Sequence, residues 1–417
     1  MKLKFKITQL AAVTALAFAG NAFAADVEVL HYWTSGGEAK SVGQLQQMVK
    51  EAGFGWKDFA VAGGAGENAT TALKTRVISG NPPTAAQIKG PSIQEWGAEG
   101  VLANIDEAAV AGKWDAVLPK VVADVMKYKG HYVAAPVNVH RVNWMWVNPE
   151  VLKKAGVVGT PTTWPAFFEA ADKIKKSGGI AIAHGGQPWQ DATVFESVAL
   201  GVGGPEFFKK AILKLDQKEL TGPTMLKVFD TLGKVKTYID KDAAGRDWNL
   251  ATAMVINNKA GFQFMGDWAK GEFTAAGKVP GKDYLCVAAP GTEKAYTFNI
   301  DSFAMFTQKD ANAKKGQIAL ANAIMNPKFQ SIFNLNKGSI PVRSGVSKDK
   351  FDACALKSMD DMDASNKAGT LLPSFAHGMA LASATQGAVF DVVAKFMNTN
   401  MSSKDAVAEL AKAAKVK

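Results

Sequence analysis

Beyond residue 25 the apolar positions switch between a period near two and a period near 3.6, and these switches divide the chain into strands and helices. VEVLHYW, residues 27–33, reads as a strand. Val42, Leu45, Met48 and Val49 then recur at helical spacing until Gly53. A second strand is predicted at DFAVA, residues 58–62, and is followed by a helix through Leu73, Arg76 and Val77 that stops at Gly80, Asn81, Pro82 and Pro83. AAQIKG is a short third strand leading into a helix around Ile93 and Trp96. The alternation β-α-β-α-β-α is that of a parallel sheet covered by helices on both faces.

Such sheets bind ligands beyond the carboxyl ends of their strands, here in the loops that start at Trp33, Gly63 and Lys89. Glycines in the first of these loops permit close backbone approach, and Glu38 opens the next helix. Burial of Trp33 in the core is the plain alternative. A second unit begins at Tyr128 with a polar hairpin tip and a long alternating strand that puts Trp144 and Trp146 on one face, read here as core packing. PTTWPAFFEAADKI starts a helix with hydroxyls and a proline in its first turn. AGFQFMGDWAKGEF is a strand ending in Gly266, Asp267 and Trp268, a second strand end that combines glycine, acid and aromatic ring.

The opening 24 residues carry Lys2, Lys4 and Lys6, a short apolar run and the triplet Ala22, Phe23, Ala24, the anatomy of a cleaved secretory signal. The expected mature chain starts at Ala25 with no cysteine to take a lipid anchor, and is exported to the periplasm. Removing the three leader lysines takes 48 basic residues to 45 against 38 acidic ones, a net charge of +7. That modest charge is scattered over amphipathic segments, which disfavours nucleic acid as a partner. A mature chain of this size exceeds what one core usually serves and predicts two lobes. Cys286 and Cys354 are too few for a disulfide scaffold or zinc cluster; in an oxidising compartment they form one bridge or stay as two buried thiols.

Familiar catalytic signatures are missing. GGAGENA, residues 63–69, contains G-x-G-x-x-A between a strand and a helix, but no strand-terminal acid follows about twenty residues on. A helix-end contact to an anion or hydroxyl, or a simple turn, explains it better. Gly-Lys pairs at Gly277 and Gly281 lack the hydroxyl of a phosphate loop, G-x-S-x-G does not occur, and His31, His131, His140, His184 and His377 have no metal-ligand spacing. No cofactor or metal is implied. Paired carboxylates that meet only in space leave a secreted glycoside hydrolase as a rival from another class.

What remains is a set of strand-end and loop residues that couple aromatic area to charged hydrogen-bonding groups. A pyranose has two C–H faces and a rim of hydroxyls, so it calls for flat rings on its faces and ionised groups around its edge. Trp33 and Trp268 suit the first task, and Glu38, Lys89, Asp301, Lys337 and His377 the second. Each has a duller reading: Asp301 and Asp267 as turn caps, Lys337 as a solvated loop lysine, His377 as a ring that satisfies backbone groups.

At these residues the chain resembles the extracytoplasmic solute-binding proteins of bacterial sugar ABC transporters, of the type that includes maltose-binding protein, and most closely the periplasmic glucose/mannose-binding proteins. The likeness is carried by VEVLHYWTSGGE, YVAAPVNVHRVNWMWVN, GTPTTWPAFFEAADKI, AGFQFMGDWAKGEF and NKGSIPVR, and spans nearly all of the mature chain. It implies an α/β fold of two lobes, each a mainly parallel sheet flanked by helices. Residues 25–137 and 294–342 would form one lobe and residues 138–293 and 343–417 the other, with hinges near Pro136, Glu293 and Pro341. A monosaccharide, glucose before mannose or galactose, would be held between the lobes without chemistry and passed by hinge closure to the membrane permease of an importer. A disaccharide or another solute is the nearer alternative. Carried over position by position, the likeness gives Trp33, Glu38, Lys89, Trp268, Asp301, Lys337 and His377 as contacts, with Asn138 and His140 at the first crossover and Asp267 beside Trp268. Where relatives have two adjacent aromatics this chain has Tyr32 and Trp33, and strand alternation favours Trp33 as the stacking ring. The protein is expected to be a monomer.

Overall fold

The computed structural model describes residues 25–416; the leader expected at residues 1–24 lies outside the described residues. A five-stranded sheet runs in the order Gly55–Ala60, Asp26–His31, Ala85–Gln87, Ser302–Met305, Ala134–Pro136. The first three strands are parallel, and Ser302–Met305 runs against both of its neighbours. The second strand begins and ends earlier than residues 58–62. Gly53, at φ 86°, reverses the chain directly after helix Gly36–Glu51, so pairing can start with Gly55 opposite Asp26. As an edge strand it leaves Lys57 and Asp58 exposed, which hides its apolar period.

A four-stranded sheet follows the order Leu285–Ala288, Trp144–Val147, Ala260–Phe264, Ile180–Ile182. Only Trp144–Val147 is reversed, so each large sheet contains one strand opposed to the rest. The long alternating strand expected before Val147 is broken into His140–Arg141 and Trp144–Val147. The break falls at Asn143, whose amide donates to Thr292 Oγ1 and the Ala295 carbonyl, both at 3.0 Å, as the chain changes sheets. His140–Arg141 pairs instead in a small sheet with Tyr296–Asn299 and Leu371–Pro373, and Val139 bridges to Ile340. The segments that pass between the two large sheets are therefore hydrogen-bonded to one another.

Each large sheet has its own core. One gathers Val27, Val29, Leu45, Phe303 and Phe333; the other gathers Trp146, Phe167, Phe195, Phe229 and Phe262, with Trp144 buried beside Trp146 at 6.2 Å between ring centroids. Helix Ala353–Ala368 belongs to neither alone, since Ala355 and Met359 enter the first core and Cys354 the second. Cys354 is disulfide-bonded to Cys286, which joins this helix to strand Leu285–Ala288 and removes the reading of two separate thiols. No described helix is long and apolar enough to cross a membrane.

Candidate functional site

Seven residues singled out from the sequence, Trp33, Glu38, Lys89, Trp268, Asp301, Lys337 and His377, line one cavity of about 510 Å3 between the lobes, together with His140. That volume lies within the roughly 300–1,000 Å3 of small-molecule sites.

The polar wall comes from the first lobe. Ser35 and Glu38 have the S-x-x-E spacing that places a carboxylate back over a helix start. Glu38 Oε2 accepts the Thr34 and Ser35 amides at 3.2 and 3.3 Å, and Oε1 accepts Lys337 Nζ at 2.7 Å. Lys337 is the last residue of helix Pro327–Lys337, which stops at Gly338 with φ 89°. A Cβ on Gly338 would sit 2.3 Å from the Asp267 carbonyl, so glycine is needed for the turn and for the contact with the other lobe. The solvated-lysine reading of Lys337 fails, because its side chain is buried and paired. Lys89 is half-buried, 5.4 Å from the Tyr32 ring centroid, and has no ion-pair partner among the described residues. Burial lowers its pKa, partly offset by Asp301 and Glu38.

Asp301 and His140 form the floor. His140 Nε2 lies 2.9 Å from Asp301 Oδ2, and Nδ1 is bonded to Asp267 Oδ1. A carboxylate at each ring nitrogen favours the imidazolium form of the ring. Burial opposes that charge, and Asp267 and Asp301 outweigh the burial, so the His140 pKa is raised. Burial would also raise Asp301; His140, Lys89 and Lys337 overcome it and hold the carboxyl well below its usual range. Asn138 and Asp267 do not line the cavity. They lie one layer beneath it, Asn138 donating to Asp301 Oδ2 at 3.3 Å and Asp267 accepting the Arg141 amide at 2.9 Å. The sequence places Asn138 at the crossover and Asp267 beside Trp268 but cannot say that their side chains are spent on the floor residues.

The second lobe supplies rings. Trp268 is 6% exposed, with centroids 5.2 Å from His140, 4.7 Å from His377 and 6.4 Å from Trp189. A Cβ on Gly266 would lie 2.1 Å from Trp268 Cζ3, so only glycine lets the indole fold back over its own turn. His377 is buried between Trp268 and Trp189, and burial together with Lys89 and His140 keeps it neutral. Trp33 combines both readings offered for it. It is 2% exposed and packs on Phe303 and Phe333 at 5.5 and 5.2 Å, and it also borders the cavity.

Alternation does not send Tyr32 away from the cavity, because the strand ends at His31 and the Trp33 amide turns back to donate to His31 Nδ1 at 3.2 Å. Tyr32 therefore lines the cavity as well. Sequence reasoning also missed Gln187, Trp189, Asp247, Trp248 and Asn249. Gln187 and Trp189 follow strand Ile180–Ile182 in HGGQPWQ, the same strand-end signature of glycines and an aromatic that marked Trp33 and Trp268. Asp247 and Trp248 open a helix after a turn, with no strand to flag them.

Residues 39–328 match the sequence profile of the family described as bacterial extracellular solute-binding protein. The chain belongs to that family. This solute-binding protein is 48% identical over 407 residues to a probable sugar-binding periplasmic protein of Rhizobium meliloti, covering 98% of both chains. It superposes on a chitin oligosaccharide binding protein with a TM-score of 0.79 at 18% identity, over 93% of this chain and 97% of that one. With the solute receptor AcbH, described as preferring b-D-galactopyranose, the TM-score is 0.78 at 19% identity, over 95% and 98%. The two-lobed α/β fold of the solute-binding protein is thus shared with a chitin oligosaccharide binding protein and a galactopyranose receptor, proteins of differing cargo. Members of the family bind solutes and are not enzymes, which removes the hydrolase alternative.

Proposed function

We propose that the protein is the periplasmic binding component of a sugar ABC importer and holds one monosaccharide, glucose in first place, between its lobes. The observation that carries this reading is the lining of the cavity, where Glu38, Asp301, Lys89, Lys337 and His140 meet Trp33, Trp189, Trp248 and Trp268. Tyr32 OH, Ser35 Oγ and Asn299 Oδ1 belong to residues that line the cavity and are buried atoms without a hydrogen-bond partner among the described residues. Such atoms need partners, and a polyhydroxylated ring brings several. Sugar bridging the two walls favours the closed arrangement, and the closed form is what the permease recognises. A dissociation constant near micromolar, about −8 kcal/mol, is expected.

A second cavity of about 660 Å3 shares Tyr32, Lys89, Trp189 and His377 with the first, and this continuity favours a disaccharide as the second reading. Thermal shift and calorimetry with glucose, galactose, mannose, xylose and maltose separate the two. Stabilisation by glucose and not by maltose supports the first, maltose alone supports the second, and no response to any of the five removes the sugar assignment.

A further inference from the structure

Helix Pro188–Phe208 presents Trp189, Thr193 and Glu196 at spacings of four and three, hence along one face. All three meet the segment that carries His377. The Trp189 ring lies 5.8 Å from the His377 ring. Thr193 Oγ1 is 3.1 Å from His377 Nε2. Glu196, 1% exposed, accepts the Ser374 hydroxyl and the Ala376 amide on the same oxygen, Oε2, both at 3.0 Å. Strand Leu371–Pro373 has ended at a proline just before Ser374, so residues 374–377 have no sheet partner beyond the Ser374 amide, which donates to the Phe298 carbonyl at 2.9 Å. A buried carboxyl that spends both of its strongest bonds on this segment is costly unless the segment must be held.

We propose that Glu196 is a positioning residue that fixes residues 374–377 and so holds the His377 imidazole at the cavity, next to Trp268, where it meets the ligand. The claim rests on the sugar-site reading for its effect on affinity, but not for its effect on His377. Thr193 engages Nε2, so the ring offers its other nitrogen to a ligand hydroxyl. Glu196 meets Ser374 and Ala376 from the loop and Thr297 from strand Tyr296–Asn299, none of them charged. Burial therefore dominates and pushes its pKa up to about 7, against the hydrogen bonds it accepts. Oε1 and Thr297 Oγ1 are both buried without a partner, and a proton on Oε1 would donate to that hydroxyl. The neutral carboxyl is thus compatible with the hold on Ser374 and Ala376, because Oε2 keeps its two accepted bonds. Glu196→Gln mimics that state with an amide in place of the proton, and Glu196→Leu removes every bond.

The test compares these variants by calorimetry with the sugar that the wild type binds and by NMR of the sugar-free protein, His377 signals being assigned with His377→Ala. Glu196→Leu should weaken binding about tenfold, the scale of one or two lost buried hydrogen bonds, and should shift the His377 ring signals. Glu196→Gln should restore both, and in a His377→Ala background Glu196→Leu should cost almost nothing more. Should Glu196→Leu not fold, Ser374→Ala removes one of the two bonds and should weaken binding about threefold with the same direction of ring shift. Unmoved His377 signals in Glu196→Leu or Ser374→Ala overturn the proposal, as does an equal loss of affinity with His377 already removed. If the wild type binds no sugar, the site reading fails, and the ring signals alone decide the positioning claim.

Discussion

The two lobes solve the burial of a carboxyl beside the same cavity in opposite ways. On the first-lobe side Asp301 is buried within reach of His140, Lys89 and Lys337, and those cations hold it ionised against the cost of desolvation. On the second-lobe side Glu196 is as deeply buried but meets only uncharged donors, and its pKa climbs to about 7. Burial thus fixes the size of the stake, and the neighbours decide which protonation state wins. The cavity inherits the contrast. Its charged lining gathers Glu38, Asp301, Lys89, Lys337 and His140, with Asp267 bonded to His140 from beneath, whereas the second lobe adds Trp189, Trp248, Trp268, a neutral His377 and one acid, Asp247.

The sharpest way to break the contrast is to empty the polar wall. Lys337→Met leaves Glu38 without its 2.7 Å partner, and an unpaired buried charge costs about 3–5 kcal/mol. Denaturant unfolding should register most of that, and calorimetry should find sugar affinity lowered about a thousandfold. A loss below tenfold would mean that the charges serve the fold and not the ligand.

The second effect is set by pH. Glu196 has its folded pKa raised from the ordinary 4.5 to about 7, so its contribution to stability is complete below pH 4.5 and is lost as pH rises through 7. The change amounts to roughly 3 kcal/mol at 1.36 kcal/mol per pKa unit. Asp301 has the opposite sign, its stabilisation being present above the unfolded carboxyl pKa and lost only in strong acid. His140, raised by its two carboxylates, adds stability that is lost as pH rises above its usual 6.5. Unfolding followed from pH 4 to pH 8 should therefore show Glu196→Gln gaining on the wild type as pH rises, while a flat difference would refute the assigned protonation.

The aromatic wall comes third. Trp268→Ala removes a ring that also contacts His140 and His377, and about 2–3 kcal/mol, close to a hundredfold in affinity, should go with it while the fold stays intact. Unchanged affinity would take Trp268 out of the site.

Much of this was legible in the chain because ligand loops in a wound sheet begin at the carboxyl ends of strands, where this chain places glycines beside aromatic or charged residues. Trp33, Glu38, Lys89 and Trp268 could be found that way, and the same logic applied to HGGQPWQ would have found Trp189. Strand boundaries were harder, since the edge strand Gly55–Ala60 has no buried face to impose a period, and the crossover at Asn143 changes sheets through side-chain bonds that leave no pattern. Nor could spacing reveal that Asn138 and Asp267 serve His140 and Asp301 from below, or that Glu196, about 180 positions from Ala376, would reach it. Those are tertiary meetings, and only the folded chain brings them about.

Salt gives the smallest effect and separates two accounts of the polar wall. If its charges attracted an ionic ligand from a distance, ionic strength would weaken binding strongly, because exposed charges are screened beyond about 10 Å at 0.1 M. The charges are instead met locally: Lys337 by Glu38 at 2.7 Å and His140 by Asp301 at 2.9 Å and by Asp267. Of the two cavity lysines, Lys89 stands without an ion-pair partner among the described residues, and it is half-buried under Tyr32. A neutral sugar has no net charge for such a wall to attract, so its affinity should change by less than about twofold between roughly 0.05 M and 0.5 M salt. A steep loss over that range would point to an anionic solute, and would recast Lys89 as its counter-ion.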